Sequence, residues 1–250
     1  MKIRIKDIEF IIKKIFFSQS FLLEKRLTRA INRNYEKELA IIDRFSDKSK
    51  NAIDIGVYRG VYSFKLSKIF KKVHAFEPNT LLFPYLNKNL KKIVKNIELY
   101  NLALSDKKGD AKLKLPIRSK SIFKDNIEEL YQLGAASMHP HKEFKEFKTV
   151  QVKMNRLDNI PIDNDIGFIK IDVEGHELEV INGAIQTIQK NRPILLIEIE
   201  RRHSKRSVEE TIEHINKLGY NCFFVNNQKL ISIEKLNDKN LENNYFFLPN

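Results

Sequence analysis

The sequence predicts an α/β fold: a mostly parallel sheet with helices on both faces, preceded by a helical extension. Three observations predict it. From Asn51 onward, short apolar runs alternate with segments of helical spacing. Glycines and carboxylates stand where the apolar runs end, the edge at which open α/β sheets bind ligands. Residues 1–45 contain neither Gly nor Pro and follow a different pattern.

In that first segment, Ile8, Ile11, Ile12, Ile15 and Phe16 recur at helical spacing. Up to Arg33 there are nine Lys or Arg against three Asp or Glu. Residues 1–45 are therefore read as a basic amphipathic extension and 46–250 as the main domain. The apolar stripe suits packing on that domain or on a second copy in a homodimer. It equally suits a peripheral contact of residues 1–33 with an anionic membrane surface.

The alternation then runs in order. "NAIDIG" reads as a buried strand and "VYSFKLSKIF" as its helix. "KKVHAFE" is the second strand, and "PNTLLFPYLNKNLKKI" the second helix, with Pro84 tolerated near its first turn. "NIELYNLALS" is a third strand, and "DKKGDAKLKLP" turns into a fourth. Residues 117–148 show weak periodicity, and loops of this length are usually functional or disordered. "TVQVKM" resumes a strand. "DIGFIKID" is an apolar strand interrupted by Lys170, followed by the helix "HELEVINGAIQTIQK". "RPILLIEIE", the helix "VEETIEHINKLG", and the strands "YNCFFVN" and "NYFFLPN" complete the chain. The last two strands have no helix between them, which permits an antiparallel strand at one edge.

Composition narrows the class. A length of 250 residues allows one large domain with an extension. The only cysteine is Cys222, which excludes intrachain disulfides and thiolate metal clusters and fits a reducing, cytoplasmic setting. No apolar run approaches the roughly 20 residues of a membrane span, and no secretory signal pattern is visible. The formal charge of +13 suits either a solvated lysine surface or an acidic partner. No aromatic-interleaved basic motif of the RNA-reading kind is present.

The chemistry gathers at strand ends. Asp54, Gly56 and Gly60 lie in "DIGVYRG", where glycines let backbone approach a ligand and the next helix offers free N–H groups. Glu77 ends the following strand, 77 − 54 = 23 positions after Asp54, where an acidic residue can accept both ribose hydroxyls of a nucleotide cofactor. Position 58 is Tyr, so the dinucleotide fingerprint G-x-G-x-x-G is not met. A cofactor with a ribose and no pyrophosphate, such as S-adenosylmethionine, fits better.

At this point "DIGVYRGVYSF", "HAFEPNT", "NLALSDKKGDAKL", "GAASM", "RLD" and "FIKIDVEGHELEVINGA" stand in the order of the FkbM family. Over about residues 50 to 200 the chain resembles these S-adenosylmethionine-dependent methyltransferases. The resemblance implies a Rossmann-like seven-stranded class I sheet and O-methylation of a sugar, glycan or polar metabolite hydroxyl. It implies that Asp54, Gly56 and Gly60 line the amino-acid end of the cofactor, Glu77 holds the ribose, and Leu104, Ser105 and Asp106 flank the adenine. The insertion 117–148 would cover the acceptor. Two positions depart from the family pattern: Val57-Tyr58 replaces Ala-Asn, and Arg156 replaces the Thr before Leu157-Asp158.

Methyl transfer to oxygen needs the acceptor held in line and its proton removed. Asp172 and Glu174 follow the central strand and are read as positioning or base residues, with Glu198 in support. Glu200 ends the same strand as Glu198. Glu174 and Glu177 alternatively serve the helix N-terminus, where negative charge is stabilising. His139, in "SMHPHKE" with His141, is a candidate base in the insertion. His176 is read as covering a helix start, His74 as a strand residue and His203 as near the crevice mouth. Asp172 and Glu198 with a histidine would suit Mg²⁺ or Mn²⁺, a secondary reading without diagnostic spacing. An RNA-binding protein or RNA methyltransferase, and a non-catalytic protein of the same fold, are the rival readings.

Overall fold

The computed structural model describes residues 17–117, 135–139, 146–163, 165–199, 207–234 and 242–250. The Ile8–Phe16 stripe, most of the 117–148 insertion, His141, Glu200 and His203 lie outside them.

Five parallel strands form one side of the sheet: β1 (Asn51–Ile55), β2 (Val73–Phe76), β3 (Ile97–Tyr100), β7 (Ile166–Ile171) and β8 (Ile194–Glu198). Three antiparallel strands complete it: β9 (Tyr220–Asn226), β10 (Lys229–Ser232) and β11 (Asn244–Pro249). The order is β10-β9-β11-β8-β7-β1-β2-β3. Seven of these strands answer the expected sheet, and β10 is an eighth. Asn227 and Gln228 join β9 to β10 with φ of 46° and 58°, the pair of positive values that a tight primed turn requires.

The sheet does end on an antiparallel strand, β10, but of the two apolar strands that close the chain the last one is interior. β11 inserts between β8 and β9, and its Tyr245, Phe246 and Phe247 are fully buried. Phe246 packs into the core on one face and Tyr245 and Phe247 into the core on the other, while β8 and β9 pair the strand on both sides.

Strand periodicity sorts the core. Ala52, Phe168, Leu196 and Phe246 face α1 (Gln19–Asn32), α2 (Val61–Ile69) and α3 (Phe83–Ile93). Ile53, Ile55, Ile169, Ile171, Leu195 and Ile197 face α4 (Glu177–Asn182), α5 (Ile185–Asn191) and α6 (Val208–Asn216). Helix α1 begins at Ser18, whose hydroxyl accepts the Phe21 N–H at 3.2 Å. Its Leu23 and Leu27, with Leu39, Ile41 and Ile42, are buried among side chains of α2 and α3. The segments on either side of residue 45 therefore share one core. Phe17 and Phe21 stay exposed, stacked at 5.2 Å with Lys25 over them.

A second sheet stands over the first. "NIELYNLALS" is two strands, because Asn101 turns the chain by donating to the Glu77 and Pro78 carbonyls at 2.8 and 3.2 Å. Its second part, β4 (Ala103–Leu104), joins β6 (Phe147–Asn155) and β5 (Gly109–Pro116) in the order β4-β6-β5. Leu113, Leu115, Val150 and Val152 form the inner face of this small sheet.

The helix after β7 also breaks in two, at Gly183-Ala184. A Cβ on Gly183 would stand 1.9 Å from the Ser105 carbonyl oxygen. Asp158 takes over where the ladder is interrupted, accepting the Thr187 N–H and hydroxyl, both at 2.9 Å. Arg156 ties this corner together by donating to the Asp106 and Asn182 carbonyls at 2.7 and 3.0 Å.

Gly183→Ala is expected to destabilise the protein by about 2 kcal/mol or more in urea unfolding, because the clash is with backbone. Gly109→Ala, whose Cβ would meet only the Met154 methyl at 3.4 Å, is expected to change stability by less than about 1 kcal/mol.

Candidate active site

Strand register builds the site. Ile55 pairs with Phe76 on one side and with Ile171 on the other, and Ile171 pairs with Ile197. The next residue on each strand is therefore in one row along the carboxyl edge: Glu77, Gly56, Asp172 and Glu198. Backbone bonds extend the register: Gly56 N–H donates to Phe76 at 2.9 Å, and Asp172 N–H to Ile55 at 2.9 Å. Gly56 has φ of +87°, and a Cβ there would lie 1.8 Å from the Asp172 carbonyl oxygen. The glycine lets two strand ends close on each other, which is a different reason from the ligand approach expected of it.

A cleft opens above this edge, with about 660 Å³ of empty space including its mouth. Gly56, Tyr58, Glu77, Asp172 and Glu174 supply its polar wall. Phe76, Leu102, Leu104 and Leu113, with Ala136 and Met138 from the insertion, supply its apolar wall. Tyr58 and Glu174 are both left-handed, with φ of 46° and 52°. Such strain in non-glycine residues clusters at functional sites. The family's Asn adopts this conformation more readily than the Tyr found here.

The structure brings some predicted residues together and sets others apart. Glu77 lies in the wall, where its carboxylate accepts the N–H groups of Tyr58 and Asn79, each at 2.9 Å. Leu104, Asp172 and Glu174 line the cleft, and Glu198 lies beside Asp172. Asp54 is fully buried and accepts the Ser63 hydroxyl, beneath the wall rather than in it. Gly60 starts α2 against Leu90. Ser105 is buried, with its hydroxyl on Asp106 and His176 at 3.1 and 3.0 Å. His139 meets His176 at 3.1 Å. Glu177 folds back to accept the Gly175 N–H at 2.8 Å. His74 is a buried strand residue facing Tyr100.

One residue central to the site reads in the sequence only as the interruption of an apolar strand. Lys170 is 1% exposed, one residue before the end of β7. Its ammonium lies 3.9 Å from both Asp172 and Glu198 and 5.1 Å from the Tyr62 ring centre. It donates to the Ile171 carbonyl and to Asn244 at 3.3 and 3.4 Å. The alternation of β7 carried the signal: positions 168, 170 and 172 share a face, so the lysine must point toward the carboxylates.

Burial sets the electrostatics. Desolvation, the largest single effect, pulls the Lys170 pKa down, but the charges of Asp172, Glu198, Glu36 and Asp54 together turn the net direction up. Desolvation pushes Asp54, Glu77 and Glu177 up to about 7. It pushes Glu198 up to about 8, helped by the Asp172 charge and a hydrogen bond with Asp172. The cleft of a strongly basic protein is thus acid-rich.

Comparison with known proteins gives the family. Residues 54–222 match the family model for the methyltransferase FkbM domain. The chain belongs to the FkbM methyltransferase family. Among solved structures it is similar to an FkbM methyltransferase from Methylobacillus flagellatus, with 16% identity and a TM-score of 0.50. The match covers 81% of this chain but only 44% of that one. A TehB-like S-adenosylmethionine-dependent methyltransferase from Corynebacterium glutamicum is 12% identical, covering 92% and 98% of the two chains with a TM-score of 0.44. An rRNA methylase from Streptococcus thermophilus is also 12% identical, covering 83% and 89% with a TM-score of 0.44. No curated protein matches the chain. Among the described residues, no helix is long and apolar enough to cross a membrane.

The FkbM family implies S-adenosylmethionine, and the cleft fits it. Glu77 ends β2 with lone pairs for ribose hydroxyls, the apolar wall suits a purine, and the carboxylates suit an ammonium and a sulfonium.

The raised carboxyls make the ligand-free protein more stable at lower pH. Their contribution is complete below about 4, the unfolded-state value, and is lost as pH rises through about 7 to 8. His74, pushed down to about 4 by burial, works the other way only below about 6.5. Tm is therefore expected to rise as pH falls from about 8.5 to 6.5, by about 2–4 °C per kcal/mol gained. Glu77→Gln should show a smaller rise; a flat or falling Tm in the wild type would contradict this assignment.

Proposed function

We propose that the protein is an S-adenosylmethionine-dependent O-methyltransferase acting on a hydroxyl of a sugar, glycan or polar metabolite. The observation that carries this reading is the Asp172–Glu198 pair, held over the buried ammonium of Lys170 at the cleft's edge. A hydroxyl must lose its proton as its oxygen bonds to carbon, so an oxygen acceptor needs a base beside the methyl position.

When bound, S-adenosylmethionine supplies an electrophilic methyl group on a sulfonium. In this reading Glu77 accepts the ribose hydroxyls, and Phe76, Leu102 and Leu104 pack on the base. Asp172, the member of the pair that lines the cleft, accepts the acceptor's hydrogen bond and then its proton. Glu198 steadies Asp172 through their shared hydrogen bond, and Lys170 fixes both carboxylates and offsets their charge. Glu174 shapes the turn through its left-handed backbone and offers its carbonyl to the Ser137 hydroxyl at 2.7 Å. Small polar acceptors suit the cleft better than RNA, whose phosphates would meet its carboxylates at close range.

The test is transfer of a labelled methyl group to a panel of sugars, nucleotide sugars, glycans and small hydroxylated metabolites, with total RNA alongside. Label in an O-methyl ether of a small acceptor supports the reading; label confined to RNA or to nitrogen overturns it. With a working acceptor, Asp172→Asn is expected to lower kcat by about 10²- to 10⁴-fold. Calorimetric titration should show its S-adenosylmethionine affinity changed by much less.

A further inference from the structure

A second constellation lies beside the cleft, outside the proposed transfer chemistry. His176 precedes α4, and Glu179 follows it one turn later. His139 arrives from the insertion. Its Nε2 stands 3.1 Å from Nδ1 of His176, and that Nδ1 lies 3.7 Å from Oε2 of Glu179. One donor atom from each of the three residues falls within 4.8 Å of the others.

We propose that His139, His176 and Glu179 form a binding site for a divalent transition ion of the zinc class. An ion about 2.05 Å from each donor in tetrahedral geometry sets its ligands about 3.3 Å apart. The two separations of 3.1 and 3.7 Å bracket that value. Glu179 has a side chain 36% exposed, so it has room to close the remaining edge. Two imidazoles and a carboxylate suit Zn²⁺ or Co²⁺ better than Mg²⁺, which prefers oxygen alone. Three protein ligands leave a fourth position for water or an acceptor oxygen.

The surroundings have the form that such sites need. A ligating histidine donates its other N–H to a fixed acceptor, which sets its tautomer and ring orientation. With Nδ1 of His176 on the ion, Nε2 carries the hydrogen and faces the Ser105 hydroxyl at 3.0 Å. That hydroxyl in turn donates to Asp106 at 3.1 Å. Ser105 is buried and occupied in this relay.

The arm carrying His139 is anchored as well. Ser137 and Lys114 exchange backbone hydrogen bonds of 2.9 and 3.1 Å. The Ser137 hydroxyl donates to the Glu174 carbonyl and accepts the His139 N–H at 3.0 Å. Met138, the residue before His139, lines the cleft. A bound ion would therefore clamp one cleft wall to the start of α4.

The test uses full-length protein, freed of any affinity tag and stripped with a chelator. Zn²⁺ is titrated by calorimetry, and Co²⁺ is followed by its visible absorption. One ion per chain with the strong absorption of four-coordinate cobalt supports the site, provided His139→Ala, His176→Ala and Glu179→Gln each weaken binding. Ser105→Ala, which removes no ligand, is expected to weaken it by about 10- to 100-fold. Thermal unfolding of the stripped proteins checks each variant's fold; if His176→Ala fails to fold, Glu179→Gln and Ser105→Ala still decide. No binding, or binding that survives His139→Ala, overturns the proposal and leaves a hydrogen bond between two imidazoles.

Discussion

A lysine buried in the central strand is the constraint on which the site depends. An ammonium removed from water costs several kcal/mol even after the protein relaxes, and only close carboxylates and well-placed acceptors recover it. Lys170 obtains Asp172 and Glu198, the Ile171 carbonyl, Asn244 and the face of Tyr62. Asp172 and the Ile171 carbonyl belong to the lysine's own strand end, and Glu198, Asn244 and Tyr62 come from three other elements. Tyr62 belongs to α2 and donates to Glu36, which brings in the chain just after α1. Asn244 begins β11, so the inserted strand also meets the charge. Losing the lysine would leave two carboxylates facing each other, which is why the lysine, strand order and carboxylates belong to a single arrangement.

The stretch from Asp172 to Glu179 carries unusually many duties for eight residues. Asp172 and Glu174 face the cleft, Gly175 and Glu177 close the turn into α4, and His176 and Glu179 point toward His139. A left-handed residue followed by a glycine, with φ of 52° and 93°, makes this possible. The backbone reverses within two residues, so neighbouring side chains serve opposite sides of the cleft wall. The contrast with the exterior has the same origin. Lysines solvated on the surface give the chain its charge of +13, while the strand ends collect carboxylates around one buried cation.

Much of the fold was legible because periodicity reports local structure. The parallel strands, Glu77 at the end of β2 and Asp172 at the end of β7 all follow from apolar runs and the residue after each. What was not legible depends on distant partners. "NYFFLPN" does not announce that it inserts between two strands, since its neighbours are set by packing across the sheet. Gly183 reads as an ordinary helical glycine until the Ser105 carbonyl stands where its Cβ would be. Asp54 reads as a ligand contact from its motif, but Ser63 in the next helix takes its carboxylate. Lys170 was visible in the sequence, and the period of two gave its direction; its partners required the register of β7 with β8.

The central claim is that the cleft above this edge is the S-adenosylmethionine site, with Glu77 holding the ribose. Calorimetric titration of the protein with S-adenosylmethionine, beside a folded Glu77→Ala variant, tests it most directly. The account predicts one site per chain with micromolar affinity, weakened about 10- to 100-fold in the variant, the worth of a hydrogen bond to a charged group. Absence of binding, or equal affinity in both proteins, would contradict it.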